Sequence, residues 1–400
     1  TTWGFPLQKD FVPAEDALVV ARVKAAGAVI LGKTNVPIGL ADWQSYNDIY
    51  GVTGNPFDTG RTPGGSSGGS AAALAVGYGA LSLGSDIGGS LRVPAHYCGV
   101  CTHKPTFALA AARGHTPPPF PPMPGSVDLA VIGPMARSAA DLARLLDVIA
   151  GPDGLDDGVG YQLALPPARH AHLKDYRVLV LDTHPLVPTE ACVQAAIEDL
   201  AGQLTKTGAK VARQSALLPD LADGSRLYMR LLFSVLASSW PPEVYARFQE
   251  AAARLDAKDD TLAAERLRGA TINHRDWMAA NLRRAHLRAQ WRRVFQTFDA
   301  VICPVVPTPA YPHDHSPDQE VRRITINGAP HPYLDQLLWP GVATAPGLPA
   351  TAIPVGRSPE GLPIGVQIIG PWLEDRTPLK LAELIEREFG GFAAPPDFNN

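Results

Sequence analysis

The chain has 400 residues, 46% hydrophobic and 18% charged, with a net charge of −4. That is enough apolar material for a large buried core, and the mild acidity excludes a basic footprint for nucleic acid or an anionic membrane surface. No run of 18 or more apolar residues occurs, which excludes a conventional transmembrane helix. Four cysteines in such a length suggest a reducing compartment, hence a cytoplasmic location. Cys98 and Cys101 form a C-x-x-C, but no second pair or nearby His pair completes a zinc site. Two small thiols facing the core are therefore expected, and no metal or cofactor.

In chain order, Asp16 to Ala26 reads as a helix stopped by Gly27, with apolar residues at Leu18, Val19, Val23 and Ala26. "AVILG" (28–32) follows as a buried strand that runs into Lys33. Residues 46–65 are rich in turn formers, Ser70 to Val76 is Ala-rich and helical, and 80–86 reads as a short buried strand. "HTPPPFPPMPG" (115–125) reads as a rigid extended loop. Ser138 caps an amphipathic helix that ends at Gly151. A strand is expected at 177–182 and a helix with a Thr189 cap at 189–208. From about 215 to 298 the pattern is helical throughout, and "NLRRAHLRAQWRR" (281–293) reads there as a solvated helix face. Strands return at 299–305, 350–356 and 362–370, and a last helix covers 376–389. Alternating strands and helices predict an α/β fold, with a mixed central β-sheet covered by helices on both faces. The whole of 1–400 reads as one domain in which 215–298 covers a substrate channel.

Chemistry concentrates in "GRTPGGSSGGSAAALAVGYGALSLGSDIGGSLRVPA" (60–95), where two glycine-wrapped serine clusters flank an apolar stretch. A linker would not be bounded by strand and helix patterns. A P-loop needs a Lys after the glycines, and none is present. Residues 64–68 match G-x-S-x-G, but the preceding "FDTGRTP" is turn rather than the strand a nucleophile elbow requires. A different reading uses both clusters. Glycines let backbone N–H groups crowd one point, so Ile87, Gly88, Gly89 and Ser90 supply an oxyanion hole beside the Ser90 hydroxyl. Serine needs a base, and a desolvated lysine is one. Lys33, after its apolar run, fits that role, with Ser66 bridging it to Ser90. Asp86 and Arg92 flank the nucleophile loop and are expected to hold its shape.

"GGSSGGSAAA", "LGSDIGGSLRVPA", "GKTN" and "GLPIGVQIIGP" together resemble the amidase signature family, and the similarity runs nearly end to end. The two serine motifs, with Ser66 and Ser90 24 residues apart, are specific as a pair. The resemblance implies a Ser–cis-Ser–Lys triad: Ser90 as nucleophile, Ser66 on a cis peptide bond as bridge, and Lys33 of "GKTN" as base. It implies hydrolysis of a linear amide through an acyl-serine, a route esters and carbamates share. It gives Ser67 a supporting role, and places Trp43 and Gln44 of "ADWQS" and Trp339 of "QLLWPG" near the substrate. For each tryptophan core packing is the competing reading, as it is for Cys303 against a place in the pocket wall. Family members usually begin with a helical segment and a strand resembling "GVPVAVKD", so roughly sixty or more residues are expected ahead of "TTWG".

The expected partner is a small-molecule amide, and homo-oligomerisation is left open. Three rivals remain at this stage. One is the glutamine-hydrolysing subunit of a tRNA-dependent amidotransferase, which shares the signature and needs partner subunits. Another is a His-dependent α/β-hydrolase using Ser66. The third is a binding protein with a dead site, against which the intact Lys33, Ser66 and Ser90 argue.

Overall fold

The computed structural model describes residues 1–122 and 126–396. Residues 123–125 of the proline-rich segment lie outside the described part. Eight strands form one sheet: β1 (Leu81–Asp86), β2 (Cys101–Lys104), β3 (Val131–Ala136), β4 (Arg177–Val180), β5 (Lys210–Ala212), β6 (Ala300–Pro304), β7 (Ala350–Arg357) and β8 (Pro363–Ile369). Their order across the sheet is β1-β3-β2-β7-β8-β6-β4-β5. The pairs β4·β5 and β4·β6 are parallel and the others antiparallel, so the sheet is mixed.

Side chains alternate across a strand, and both faces are buried. Val178, Val180, Ala300 and Ile302 face one core, together with residues of helices α1 (Leu18–Ala25), α4 (Ala139–Ile149), α5 (Ala191–Lys206) and α11 (Arg376–Phe389). Leu179, Val301 and Cys303 face the other. There they meet α2 (Gly68–Ala75), α3 (Arg92–Cys98), α6 (Leu221–Leu236), α9 (His274–Thr297) and α10 (Leu338–Thr344). The helical stretch expected at 215–298 is α6, α7 (Pro242–Ala252), α8 (Leu262–Ala270) and α9. Ser138 caps α4 as expected, its hydroxyl accepting from the Asp141 N–H. Cys98 and Cys101 are both free, buried thiols, and burial raises the pKa of each.

Three expectations need correction. Residues 28–32 form no strand: Val29, Ile30 and Leu31 are 82%, 50% and 78% exposed. An apolar run becomes a strand only when an edge receives it, and here neither edge of the sheet, β1 nor β5, pairs with it. Thr189 does not cap α5. The helix starts one residue later, after Glu190, and the Thr189 hydroxyl instead accepts from Trp339 Nε1 at 3.3 Å. The strand at 80–86 is an edge strand, exposed at Leu81 and fully buried only at Asp86.

Candidate functional site

The second serine cluster lies in the turn between β1 and α3. Asp86 ends β1 and is fully buried, and Arg92 opens α3 and is fully buried as well. Their side chains pair at 2.8 Å. Burial by itself would raise the Asp86 pKa, but the Arg92 guanidinium, with the Lys104 charge and the Gly89 N–H, outweighs it and holds the carboxyl below its usual range. Arg92 spends its remaining donors on Pro340 O, Thr344 Oγ1 and Gln367 Oε1, which ties the turn to α10 and β8. The Asp86 carboxylate also accepts the Gly89 N–H at 3.0 Å and the Leu91 N–H at 3.2 Å. The flanking pair is thus bonded both to the loop and to its neighbours.

The carbonyls of this loop are all engaged. Ile87 O accepts from the Tyr228 hydroxyl at 2.7 Å, and Gly88 O from Trp43 Nε1 at 2.9 Å. Gly89 O accepts from the Val93 N–H at 2.7 Å and Ser90 O from the Ser67 N–H at 3.2 Å. Because Asp86 takes the Gly89 N–H, the N–H groups of Ile87, Gly88 and Ser90 are the members of the expected four left without an acceptor among the described residues.

The bond from Ser67 to Ser90 joins the two serine clusters. Ser66, Ser67 and Ser90 are buried, only 2%, 6% and 7% exposed, and the Gly65–Ser66 peptide is cis. Glycine is required around them. A Cβ on Gly65 would come within 2.9 Å of Gln44 N, and one on Gly84 within 2.5 Å of Ser67 Oγ. Among the described residues no hydrogen bond links the Ser66, Ser67 and Ser90 hydroxyls to each other or to Lys33. Lys33 stands apart from them: it is exposed, and its Nζ donates to Thr1 Oγ1 at 2.7 Å. Partial burial of that ammonium lowers its pKa. The backbone just beyond it already lies on α2, with Thr34 Oγ1 2.8 Å from Ser70 Oγ. Asn35 packs so closely on Gly69 that a Cβ there would sit 2.5 Å from Asn35 O.

The residues expected at the substrate are buried. Trp43 is 7% exposed and its indole N–H is used by Gly88 O. Gln44 has no exposed surface, and its amide both donates to Asp314 O and accepts from Asp314 N. Trp339 is fully buried, edge-on to His184. Cys303 is core, its thiol pKa pushed up to about 12 by burial. The buried histidines serve elsewhere: His96 on Gly365 and Thr308, His103 on Thr351 and Asp375, His184 on Leu186 and Ser225. None of these three hydrogen-bonds Ser66 among the described residues. Nor does any group of three or more His, Cys, Asp or Glu among the described residues come together to hold a metal. No helix among them is long and apolar enough to cross a membrane.

The mixed sheet between two helical layers is the α/β fold of the amidase-signature enzymes. The chain belongs to the amidase family, whose model matches residues 1–379, and it is an amide-hydrolysing enzyme. It is 34% identical to a glutamyl-tRNA(Gln) amidotransferase subunit from Thermus thermophilus, over 96% of this chain and 81% of that protein. The crystal structure of the corresponding Thermotoga maritima subunit superposes with a TM-score of 0.78 at 26% identity, covering 99% of this chain and 82% of that one. A 6-aminohexanoate cyclic dimer hydrolase superposes at 0.73 with 27% identity, covering 98% and 82%.

Tyr228 was invisible to sequence reasoning. It sits in an ordinary amphipathic helix more than a hundred residues from the loop it contacts, and no local pattern signals that contact.

Proposed function

We propose that this enzyme hydrolyses a linear carboxylic amide through an acyl-Ser90 ester, with Ser66 as proton relay and Lys33 as base. The observation that carries the reading is the hydrogen bond from the Ser67 N–H to the Ser90 carbonyl, which seats the two serine clusters side by side. Ser90 Oγ attacks the amide carbon as its proton passes through Ser66 to neutral Lys33. The oxyanion rests on backbone N–H groups of the 87–90 turn. The C–N bond then breaks, and the proton returns through Ser66 to the leaving amine. Water, deprotonated by the same pair, cleaves the ester and frees the acid. For this cycle the Lys33 side chain leaves Thr1 and reaches Ser66 across the first turn of α2, where Thr34 and Asn35 already anchor its backbone.

An aryl or alkyl amide is the substrate class on this reading, because the side chains packed around the Gly88 backbone, Leu337, Tyr228 and Trp43, are apolar and aromatic. The second reading, a glutamine-hydrolysing subunit that works with partner subunits, is favoured by the likeness to amidotransferase subunits. Hydrolysis of a panel of anilides and alkyl amides, measured beside glutamine, separates the two. Turnover of the anilides that Ser90→Ala abolishes supports the first; turnover of glutamine alone overturns it in favour of the second.

A further inference from the structure

We infer that the Tyr228 hydroxyl and the Trp43 indole N–H are positioning groups for the oxyanion hole, and that Gly88 and Ser90, not Gly89, supply its donors within the 88–90 run. This rests on the acyl-Ser90 reading above. In a trans peptide the carbonyl and the N–H of the following residue point in opposite directions. Fixing one therefore aims the other.

The four carbonyls of the loop are fixed by four different donors. Tyr228 on Ile87 O turns the Gly88 N–H away from α6. Trp43 on Gly88 O turns the Gly89 N–H away from Trp43, and that N–H goes to Asp86. Val93 on Gly89 O turns the Ser90 N–H away from α3. Ser67 on Ser90 O turns the Leu91 N–H to Asp86 as well. Alternate N–H groups, of Gly89 and Leu91, thus satisfy the buried carboxylate. The intervening pair, of Gly88 and Ser90, has no acceptor among the described residues and is free to take a ligand. Two donors so aimed, and costing no rearrangement when charge develops, are what an oxyanion hole requires.

The clamp is built into the packing. Tyr228 has no exposed surface. A Cβ on Gly341 would lie 2.5 Å from Tyr228 Cδ1, so a glycine there admits the ring. Nothing else in the loop restrains the Ile87–Gly88 peptide plane: Asp86 reaches only Gly89 and the residues after Ser90. Without the Tyr228 hydroxyl the Gly88 donor is free to swing. Trp43 acts one peptide further on, and its loss lets the Gly89 plane exchange Asp86 for the ligand side.

The test measures covalent labelling of the full chain by a fluorophosphonate probe, whose phosphoryl oxygen occupies the same hole, as a maximal rate and a half-saturating concentration. Tyr228→Phe and Trp43→Phe each remove one donor and keep an aromatic ring. We expect each to lower the maximal rate at least tenfold, with the half-saturating concentration within about twofold and the unfolding midpoint close to the parent's; a donor lost outright costs about 10²–10³. Equal loss in both labelling parameters, or loss tracking a fall in the unfolding midpoint, would show a merely structural role. Parent-like rates in both variants, with labelling still abolished by Ser90→Ala, overturn this inference alone. Labelling of the parent that Ser90→Ala leaves intact, or no labelling of the parent, overturns the acyl-Ser90 reading and this one with it.

Discussion

Replacing Asp86 by Asn isolates the group on which the nucleophile turn is hung. Both carboxylate oxygens face donors: Oδ1 takes the Gly89 N–H and Arg92 Nη2, and Oδ2 takes the Leu91 N–H and Arg92 Nε. An amide nitrogen at either place confronts two donors with a third, so two hydrogen bonds are lost. Arg92, with no exposed surface, is also left as an uncompensated buried charge. Breaking one side of a buried pair costs about 3–5 kcal/mol. In a chain of this size that lowers the unfolding midpoint by roughly 4–6 °C. The loss should depend on pH. Because the native Asp86 pKa is depressed, its stabilisation is fully present above the unfolded carboxyl value of about 3.9 and fades as pH falls through the native one. The gap between parent and variant should therefore be widest near neutrality and shrink below about pH 4. Differential scanning fluorimetry across pH, with fluorophosphonate labelling at pH 7, reads both effects. An Asn variant with the parent's midpoint and labelling rate would refute the idea that this carboxylate organises the turn.

Three further outcomes follow from the same geometry. Lys33 carries a lowered pKa and acts as a base only when neutral, so amide turnover should rise with pH through a midpoint below the ordinary lysine value of about 10.4. Lys33→Ala should flatten that limb, and a limb that survives the substitution would assign the proton to another group. Gly341→Ala should push Tyr228 off Ile87 O, lowering both activity and the unfolding midpoint, by about 1–3 kcal/mol in stability for an overpacked site. Asp42 is buried between Arg322, at 2.6 Å, and the Tyr333 hydroxyl, at 2.5 Å; Asp42→Asn should loosen the 313–322 segment and quicken its cleavage in limited proteolysis. An unchanged cleavage pattern would show that this pair does not hold the segment.

The amphipathic helices could be read directly from sequence. The last one, Arg376–Phe389, has the residues its apolar period predicts, because a helix that covers a sheet must show one apolar stripe. β2 and β3 were not legible. "CTHK" carries polar residues at three of its four positions, yet every one is buried, His103 satisfied by Thr351 and Asp375. "VIGPMA" contains a glycine and a proline, which argue against a central strand by propensity alone. Tertiary partners supply what the local pattern lacks. At the site, the serines and glycines announced themselves because the chemistry needs those residue types at one point. The use of Gly89 by Asp86 and the reach of Tyr228 from α6 did not, since both are contacts made only when the chain has folded. Lys33 shows the converse. Its motif is plain in the sequence, while its ammonium rests on Thr1.

The central claim is that Ser90 carries the acyl group and Lys33 activates it. Peptide mass spectrometry after fluorophosphonate treatment of the parent, Ser90→Ala and Lys33→Ala chains tests it most directly. The account predicts one adduct, on Ser90, absent in Ser90→Ala and formed at least a hundredfold more slowly in Lys33→Ala, in line with about 10²–10⁴ for general-base catalysis. An adduct on Ser66, or one on Ser90 that forms as fast without Lys33, would contradict it.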